Sequence, residues 1–288
     1  MTKLSRIVGV GSIGLLFLIV LMPTPRVASA AALAQLPPTA TAEEQRIYEA
    51  FRAWITAQPP AGQADDNDIY RRYAAFLQSQ GKSAAEAAAT VEQLRKIGDR
   101  AEIERWNRIL TAPKPGFNTS PNAFLVEMVK GVRPGRALDV GMGQGRNTIF
   151  LAQQGWDAVG FDPADRAVAA AQQQAAQLGV KITTRVARAE DFDWGKAQWD
   201  LIVISYVGGR EFVTNVLQSL RPGGMLLIEG FHRDATKTQP IGGAVVFDTN
   251  ELLKLYSGLR VIRYEDTEAV ADFGLQKVRV VRLFAQKP

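Results

Sequence analysis

The stretch Ala137-Leu-Asp-Val-Gly-Met-Gly-Gln-Gly-Arg-Asn147 decides the fold. Leu138 and Val140 suit a parallel strand covered on both faces. Gly141, Gly143 and Gly145 alternate along the turn that follows, where glycine accepts positive φ and lets a ligand come close to the backbone. Ile149, Phe150 and Ala152 then carry an apolar helix face that Gly155 ends. A strand, a glycine turn and a helix N-terminus together make a nucleotide-type site. The dinucleotide fingerprint G-x-G-x-x-G, begun at Gly141, would need glycine where Arg146 stands, so the spacing is acid-x-Gly-x-Gly-x-Gly, the acid being Asp139.

Working outward, Trp156-Asp-Ala-Val-Gly-Phe-Asp162 is a second strand that ends in a carboxylate 21 positions after Gly141. Asp162 is placed to accept hydrogen bonds from both hydroxyls of a ribose, and also to cap the helix that starts at Pro163. An Ala/Gln-rich helix over 164–178 leads to a third strand over 182–186 and the turn Arg188-Ala-Glu-Asp-Phe192. Trp199-Asp-Leu-Ile-Val-Ile-Ser-Tyr206 is apolar on both faces and therefore central in the sheet, with Ser205 and Tyr206 at the end where ligands of open α/β sheets bind. Leu220-Arg-Pro-Gly-Gly-Met-Leu-Leu-Ile-Glu-Gly230 gives a turn and a fifth strand, followed by a helix over 249–256 and strands over 259–264 and 278–285.

This order of elements, with the glycine run and the Pro-Gly-Gly turn, resembles the class I S-adenosylmethionine-dependent methyltransferases over residues 118–288. Gly145-Arg-Asn147, Glu251-Leu-Leu and Tyr264-Glu-Asp are most similar to the tellurite-resistance type. The resemblance implies an α/β, Rossmann-like sheet, mostly parallel with an antiparallel last strand and helices on both faces. It implies S-adenosylmethionine as cofactor, held by Asp139, Gly141, Gly143, Gly145, Asn147, Asp162 and Ser205. The family's adenine-binding aspartate aligns with Arg188, a departure, so Glu190 or Asp191 with the Ala189 backbone is expected to take that role. The segment Phe117 to Asn122 is expected to lie across the cofactor.

Methyl transfer from a sulfonium is an in-line displacement that needs alignment and sometimes a base. Tyr206 is the candidate lining the acceptor, and His232, the only histidine, is the candidate base. No metal-ligand spacing appears, and the absence of cysteine excludes disulfides, cysteine-bound zinc and thiol nucleophiles. A net charge of +5 invites a nucleic-acid reading, but the arginines are scattered, with Arg260, Arg263, Arg279 and Arg282 as the one possible stripe. A small-molecule methyl acceptor is therefore expected and no nucleic acid. A non-catalytic protein of the same fold is the alternative, and an RNA or protein methyltransferase comes after it. The oligomeric state is not legible.

Residues 1–30 read as a signal peptide: Lys3 and Arg6, an apolar run over 7–22, then Ala28-Ser-Ala30. The run is shorter than the roughly 20 residues of a spanning helix, so export to the periplasm or medium is the first expectation. An uncleaved membrane anchor through residues 7–22 is the rival. Residues 31–42 read as a Pro/Ala/Thr linker and 43–117 as a helical extension. Its helix starts are expected at Thr41-Ala-Glu-Glu44, Ser83-Ala-Ala-Glu86 and Asp99-Arg-Ala-Glu102, each a capping residue with glutamate three later, and near Asp66. A cleaved leader predicts a mature chain beginning near Ala31. Intact-mass measurement of the exported fraction checks this, and Met1 or Thr2 on a cytoplasmic protein would refute it.

Overall fold

The computed structural model describes residues 36, 39–57, 66–239 and 241–288. The leader, the run 7–22 and most of the linker expected over 31–42 lie outside the described residues. Among the described residues no helix is long and apolar enough to cross a membrane.

Three helices come first: α1 (Ala42–Thr56), α2 (Asp66–Ser79) and α3 (Ala84–Leu110). Both Thr41 and Ser83 form full capping boxes with Glu44 and Glu86, which satisfies amide groups that a helix start otherwise leaves unpaired. The start expected at Asp99 does not occur, because α3 runs unbroken through it for 27 residues. Ile97, Gly98 and Ala101 face inward there and stay buried, while Asp99 points outward to Arg188. Continuing the helix keeps one apolar face in register, whereas a cap at Asp99 would have ended it. Tyr48, Phe51, Tyr73, Leu94 and Ile97 belong to the core these three helices share.

Beyond α4 (Ala123–Met128) the sheet begins. In chain order come β1 (Arg136–Val140), α5 (Arg146–Gln153), β2 (Asp157–Asp162), α6 (Asp165–Gln177), β3 (Thr183–Val186) and β4 (Trp199–Ser205). They are followed by α7 (Val213–Ser219), β5 (Leu220–His232), β6 (Val246–Phe247), α8 (Glu251–Leu255), β7 (Arg260–Val270) and β8 (Lys277–Gln286). The strand order is β3-β2-β1-β4-β5-β8-β7, with short β6 beside the end of β5. All pairings are parallel except those of β8 with β5 and β7, so β8 alone runs against the rest.

Strand pleat divides the core into two sides. Leu138, Val140, Ile202, Ile204, Leu226 and Ile228 pack toward α7 and α8, where Tyr256 and Leu252 are also buried. The alternate residues Ala137, Leu201, Val203 and Leu227 pack with Phe124 and Leu125 of α4 and Leu151 of α5. Asp139, Ser205 and Glu229 belong to this second set, so their polar groups lie on the α4/α5 side. The β7–β8 hairpin is longer than the sequence signals, reaching Val270 before its turn, because Arg263, Glu265 and Arg279 pair across it or along it instead of marking a loop.

Gly145, at φ +80, is the residue that lets β1 turn into α5. A Cβ there would stand 2.7 Å from Ala171 Cβ in α6, in a backbone region that costs side chains about 1–2 kcal/mol. Gly145→Ala is expected to lower unfolding stability by about 2–4 kcal/mol. Urea denaturation measures this, and a loss below about 0.5 kcal/mol would show that the loop relaxes freely.

Candidate active site

The carboxyl ends of β1, β2, β4 and β5 meet at one edge of the sheet. The glycine loop crosses it with Gly141, Gly143 and Gly145 all at positive φ, closed by hydrogen bonds from the Met142 amide to the Phe161 carbonyl and from the Gly145 amide to the Met142 carbonyl. Asp162 holds the loop from the neighbouring strand. Its two oxygens accept the amides of Gly143 (2.9 Å) and Ala164 (2.8 Å). A carboxylate offers about four acceptor positions, so two remain, the number two ribose hydroxyls would use. Burial raises the Asp162 carboxyl above its ordinary range, and those two amides oppose the rise.

Asp139 lies beneath the loop, 2 % exposed, with the Thr148 hydroxyl donating to it at 2.7 Å. It ties β1 to the first turn of α5 from inside the sheet. Asn147 is buried as well, and its side-chain oxygen accepts the Asn122 amide at 2.9 Å, which ties the segment 117–122 to α5. In the turn after β3, the Ala189 carbonyl accepts the Trp194 indole, and Glu190 pairs with Arg188 at 3.7 Å. Asp191 donates its backbone amide to the Arg188 carbonyl, and the Arg188 side chain reaches Asp99 of α3 at 3.0 Å. Arg188, where the resemblance sets an adenine-binding aspartate, thus forms an ion pair with the helical extension.

That extension also covers the loop. A Cβ on Gly143 would meet Leu110 of α3 at 3.2 Å, and one on Gly141 would meet Val207 at 2.4 Å. Asn107 of α3 bonds both Asp165 and the Arg166 amide at the start of α6.

Around Tyr206 the site becomes a buried polar network. Tyr206 holds φ +59, a strained position for a side chain of this size, and its hydroxyl donates to Glu229 at 2.7 Å. Glu229 is 1 % exposed and also accepts Asn122 Nδ2 (3.0 Å) and Arg282 Nε (2.9 Å). Asp272, in the β7–β8 turn, accepts Asn118 and Asn122 and pairs with Arg146 at 2.7 Å. Burial, together with the adjacent Glu229 carboxylate, drives the Tyr206 phenol far above its ordinary value, so it stays protonated as a donor.

His232 does not join this network. It follows Glu229 by three residues on β5 and so faces the other side of the sheet. Its ring nitrogens meet Thr249 Oγ1 at 2.9 Å and the Asp234 amide at 3.1 Å. The expectation that Tyr206 and His232 face one methyl group is therefore corrected: the strand's alternation separates them. Ser205 remains at the loop, within 3.4 Å of Arg146. Three of the four arginines of the stripe are paired in place, Arg263 by Glu265 and Glu127, Arg279 by Asp266, and Arg282 by Glu229 and Glu265.

Arg146, Asn118, Asn122, Glu229, Asp272 and Arg282 are the site residues that the sequence analysis passed over. A signal for two of them was present: Glu229 and Arg282 are opposite charges set inside two apolar strands, and they prove to be direct cross-strand partners. The two asparagines and Asp272 carry no such mark.

The glycine-loop neighbourhood gives a pH-dependent prediction. Burial pushes the Asp139 carboxyl from its ordinary 3.8 up to about 6. The folded state thus disfavours the charged form, a cost absent below about pH 4, growing as pH rises through about 6 and constant above about 7. Asp139→Asn keeps an acceptor for Thr148 and is expected to gain stability over the parent across that window, by up to about 3 kcal/mol. Unfolding at pH 4, 6 and 8 measures the gap, and a gap independent of pH would refute it.

The comparisons agree with this geometry. A family model described as "Methyltransferase domain" matches residues 137–224. Hemagglutinin 1 of Eikenella corrodens is 29% identical over 188 residues, covering 61% of this chain and 62% of that protein. The probable S-adenosyl-L-methionine-dependent methyltransferase TehB of Haemophilus influenzae is 25% identical over 160 residues, 52% of this chain and 55% of TehB. The chain thus spans less than two thirds of the length of these curated relatives. The crystal structure of that TehB superposes with a TM-score of 0.51 at 21% identity, covering 59% of this chain and 64% of the other. The N-methyltransferase NodS of Bradyrhizobium japonicum superposes at 0.50 with 20% identity, covering 65% and 98%. At these identities the superpositions speak for the fold. Strand order, glycine loop and matched domain agree, and the chain carries a class I S-adenosylmethionine-dependent methyltransferase domain.

Proposed function

We propose that the protein binds S-adenosylmethionine on the glycine loop and transfers its methyl group to a small-molecule acceptor. The observation that carries this reading is the joint geometry of the loop and Asp162: three left-handed glycines carry the backbone across the sheet edge, and one carboxylate keeps two acceptor positions beyond those the loop uses. When bound, the cofactor supplies an electrophilic methyl carbon on a sulfonium. The chain supplies alignment. Asp162 holds the loop from the side, Asp139 ties β1 to the first turn of α5, Val207 and Leu110 flank the loop, and Asn147 with Asn122 fixes the segment 117–122. Tyr206, whose hydroxyl donates to Glu229 and accepts the Asp272 amide and whose ring packs against Phe231 at 4.9 Å, would line the acceptor site and not serve as its base. With His232 on the other face, acceleration through proximity and orientation suits the site better than general-base catalysis. Export by the leader belongs to the same proposal, as does the small size of the acceptor.

A non-catalytic role is favoured by one observation, the Arg188–Asp99 pair at the adenine position. Two variants separate the readings. Asp162→Ala is expected to weaken S-adenosylmethionine and S-adenosylhomocysteine alike, by about 10–100-fold, since charged hydrogen bonds contribute about 1.5–3 kcal/mol. Tyr206→Phe is expected to leave that affinity within about twofold and to lower turnover about tenfold or more. Calorimetry and a radiolabelled-methyl assay over amine, thiol, hydroxyl and metalloid acceptors measure both. Unchanged affinity in Asp162→Ala would overturn the cofactor reading, and firm binding with no methylated acceptor would favour the non-catalytic one.

A further inference from the structure

Arg146 is the first residue of α5, directly after the last glycine of the loop, and its side chain is only 9 % exposed. It leans over the loop toward the end of β4. One of its terminal nitrogens donates to the Ser120 carbonyl at 3.0 Å, and the other lies 2.7 Å from Asp272 and 3.4 Å from Ser205. Its charge partner is thus not on the parallel sheet edge but in the turn of the β7–β8 hairpin, an excursion of the chain more than a hundred residues away in sequence.

Asp272 carries much of what holds that turn down. Its side chain also accepts Asn118 at 2.9 Å and Asn122 at 2.8 Å, and its carbonyl accepts the Asn118 amide at 2.7 Å. The next residue, Phe273, is seated between three rings: Phe117 at 5.2 Å and 23°, Tyr206 at 5.7 Å and Trp106 at 6.3 Å. Behind it Gly274 and Leu275 both have positive φ, at +79 and +51, and Leu275 is half exposed. The turn therefore has a charged latch at its base, an aromatic plug beside Tyr206 and a strained, solvent-facing tip.

We propose that Arg146 binds the α-carboxylate of the cofactor and that Asp272 is an internal carboxylate competing for the same guanidinium. This rests on the S-adenosylmethionine reading above and deepens it. A guanidinium held by burial beside a glycine loop and a helix N-terminus suits a carboxylate, and it can serve one bidentate partner at a time. Cofactor entry then exchanges one anion for another at Arg146 without leaving the cation unpaired, which would be the costly outcome at this depth. The exchange removes the charged anchor of Asp272 and leaves its bonds to Asn118, Asn122 and the Tyr206 hydroxyl, which loosens the turn that carries Phe273 against the rings around Tyr206. Acceptor access follows cofactor binding, giving an ordered sequence with the cofactor first.

The test uses three ligands on the full chain, by calorimetry. S-adenosylhomocysteine carries the carboxylate, its decarboxylated analogue lacks that group alone, and 5′-methylthioadenosine lacks the whole amino-acid end. Arg146→Met is expected to weaken S-adenosylhomocysteine about 10–100-fold while changing the other two less than about threefold. Asp272→Asn is expected to tighten S-adenosylhomocysteine about 3–10-fold and to leave methylthioadenosine unchanged, with Asp272→Ser as the second variant and thermal melts confirming that both fold. If the parent binds none of the three, the cofactor reading falls and this inference with it. If the parent binds S-adenosylhomocysteine but Arg146→Met weakens all three ligands equally or none, or if neither Asp272 variant tightens it, the competition is refuted while the cofactor reading stands.

Discussion

A carboxylate with almost no access to water organises the carboxyl edge of the sheet. Glu229 emerges at the end of the fifth strand and accepts from Tyr206, Asn122 and Arg282, which belong to three separate parts of the chain. An ion of this depth without partners would cost several kcal/mol, so each donor is held in place by what its loss would do. Through Tyr206 the carboxylate fixes a residue in a strained conformation, with the Tyr206 amide bonded to the Glu229 carbonyl as well. Through Asn122 it fixes the segment 117–122, which is tied to the start of α5. Through Arg282 it fastens the one antiparallel strand in register. Remove that charge and three elements lose their common reference point.

The fold was legible because its signals are local. Glycines at 141, 143 and 145, an acid at the end of each of the first two strands, and doubly apolar strands need only neighbouring residues to be read, and the strand order agrees with them. Helix starts at Thr41 and Ser83 were legible for the same reason. Asp99 misled because its spacing to Glu102 satisfies a local rule, while the burial of Ile97, Gly98 and Ala101 against other elements decides the outcome. The hairpin's length was missed in the opposite sense: its charged residues look like a loop in sequence and become ion pairs only once β7 and β8 lie side by side.

Within the site, the residues read from spacing are those of the loop and its supporting acids. What spacing could not supply was which polar groups converge from afar. Asn118 and Asp272 are 154 positions apart, and Asn122 and Glu229 are 107 apart, and nothing in either neighbourhood announces the partner. His232 illustrates the converse, since its place in the chain suggested chemistry while an odd number of steps along β5 from Glu229 turned its ring to the other side.

The length of α3 has a consequence for how the molecule comes apart. Its middle turns supply Leu94 and Ile97 to the core of the helical extension, and its last turns supply Leu110 and Trp106 to the apolar cluster over the glycine loop. A helix of 27 residues spans about 40 Å, so one continuous rod carries apolar residues into both cores. The two cores are joined through a shared rod instead of a hinge. Loss of α3 as a whole would therefore strip apolar contacts from the helical extension and from the cluster beside the glycine loop together.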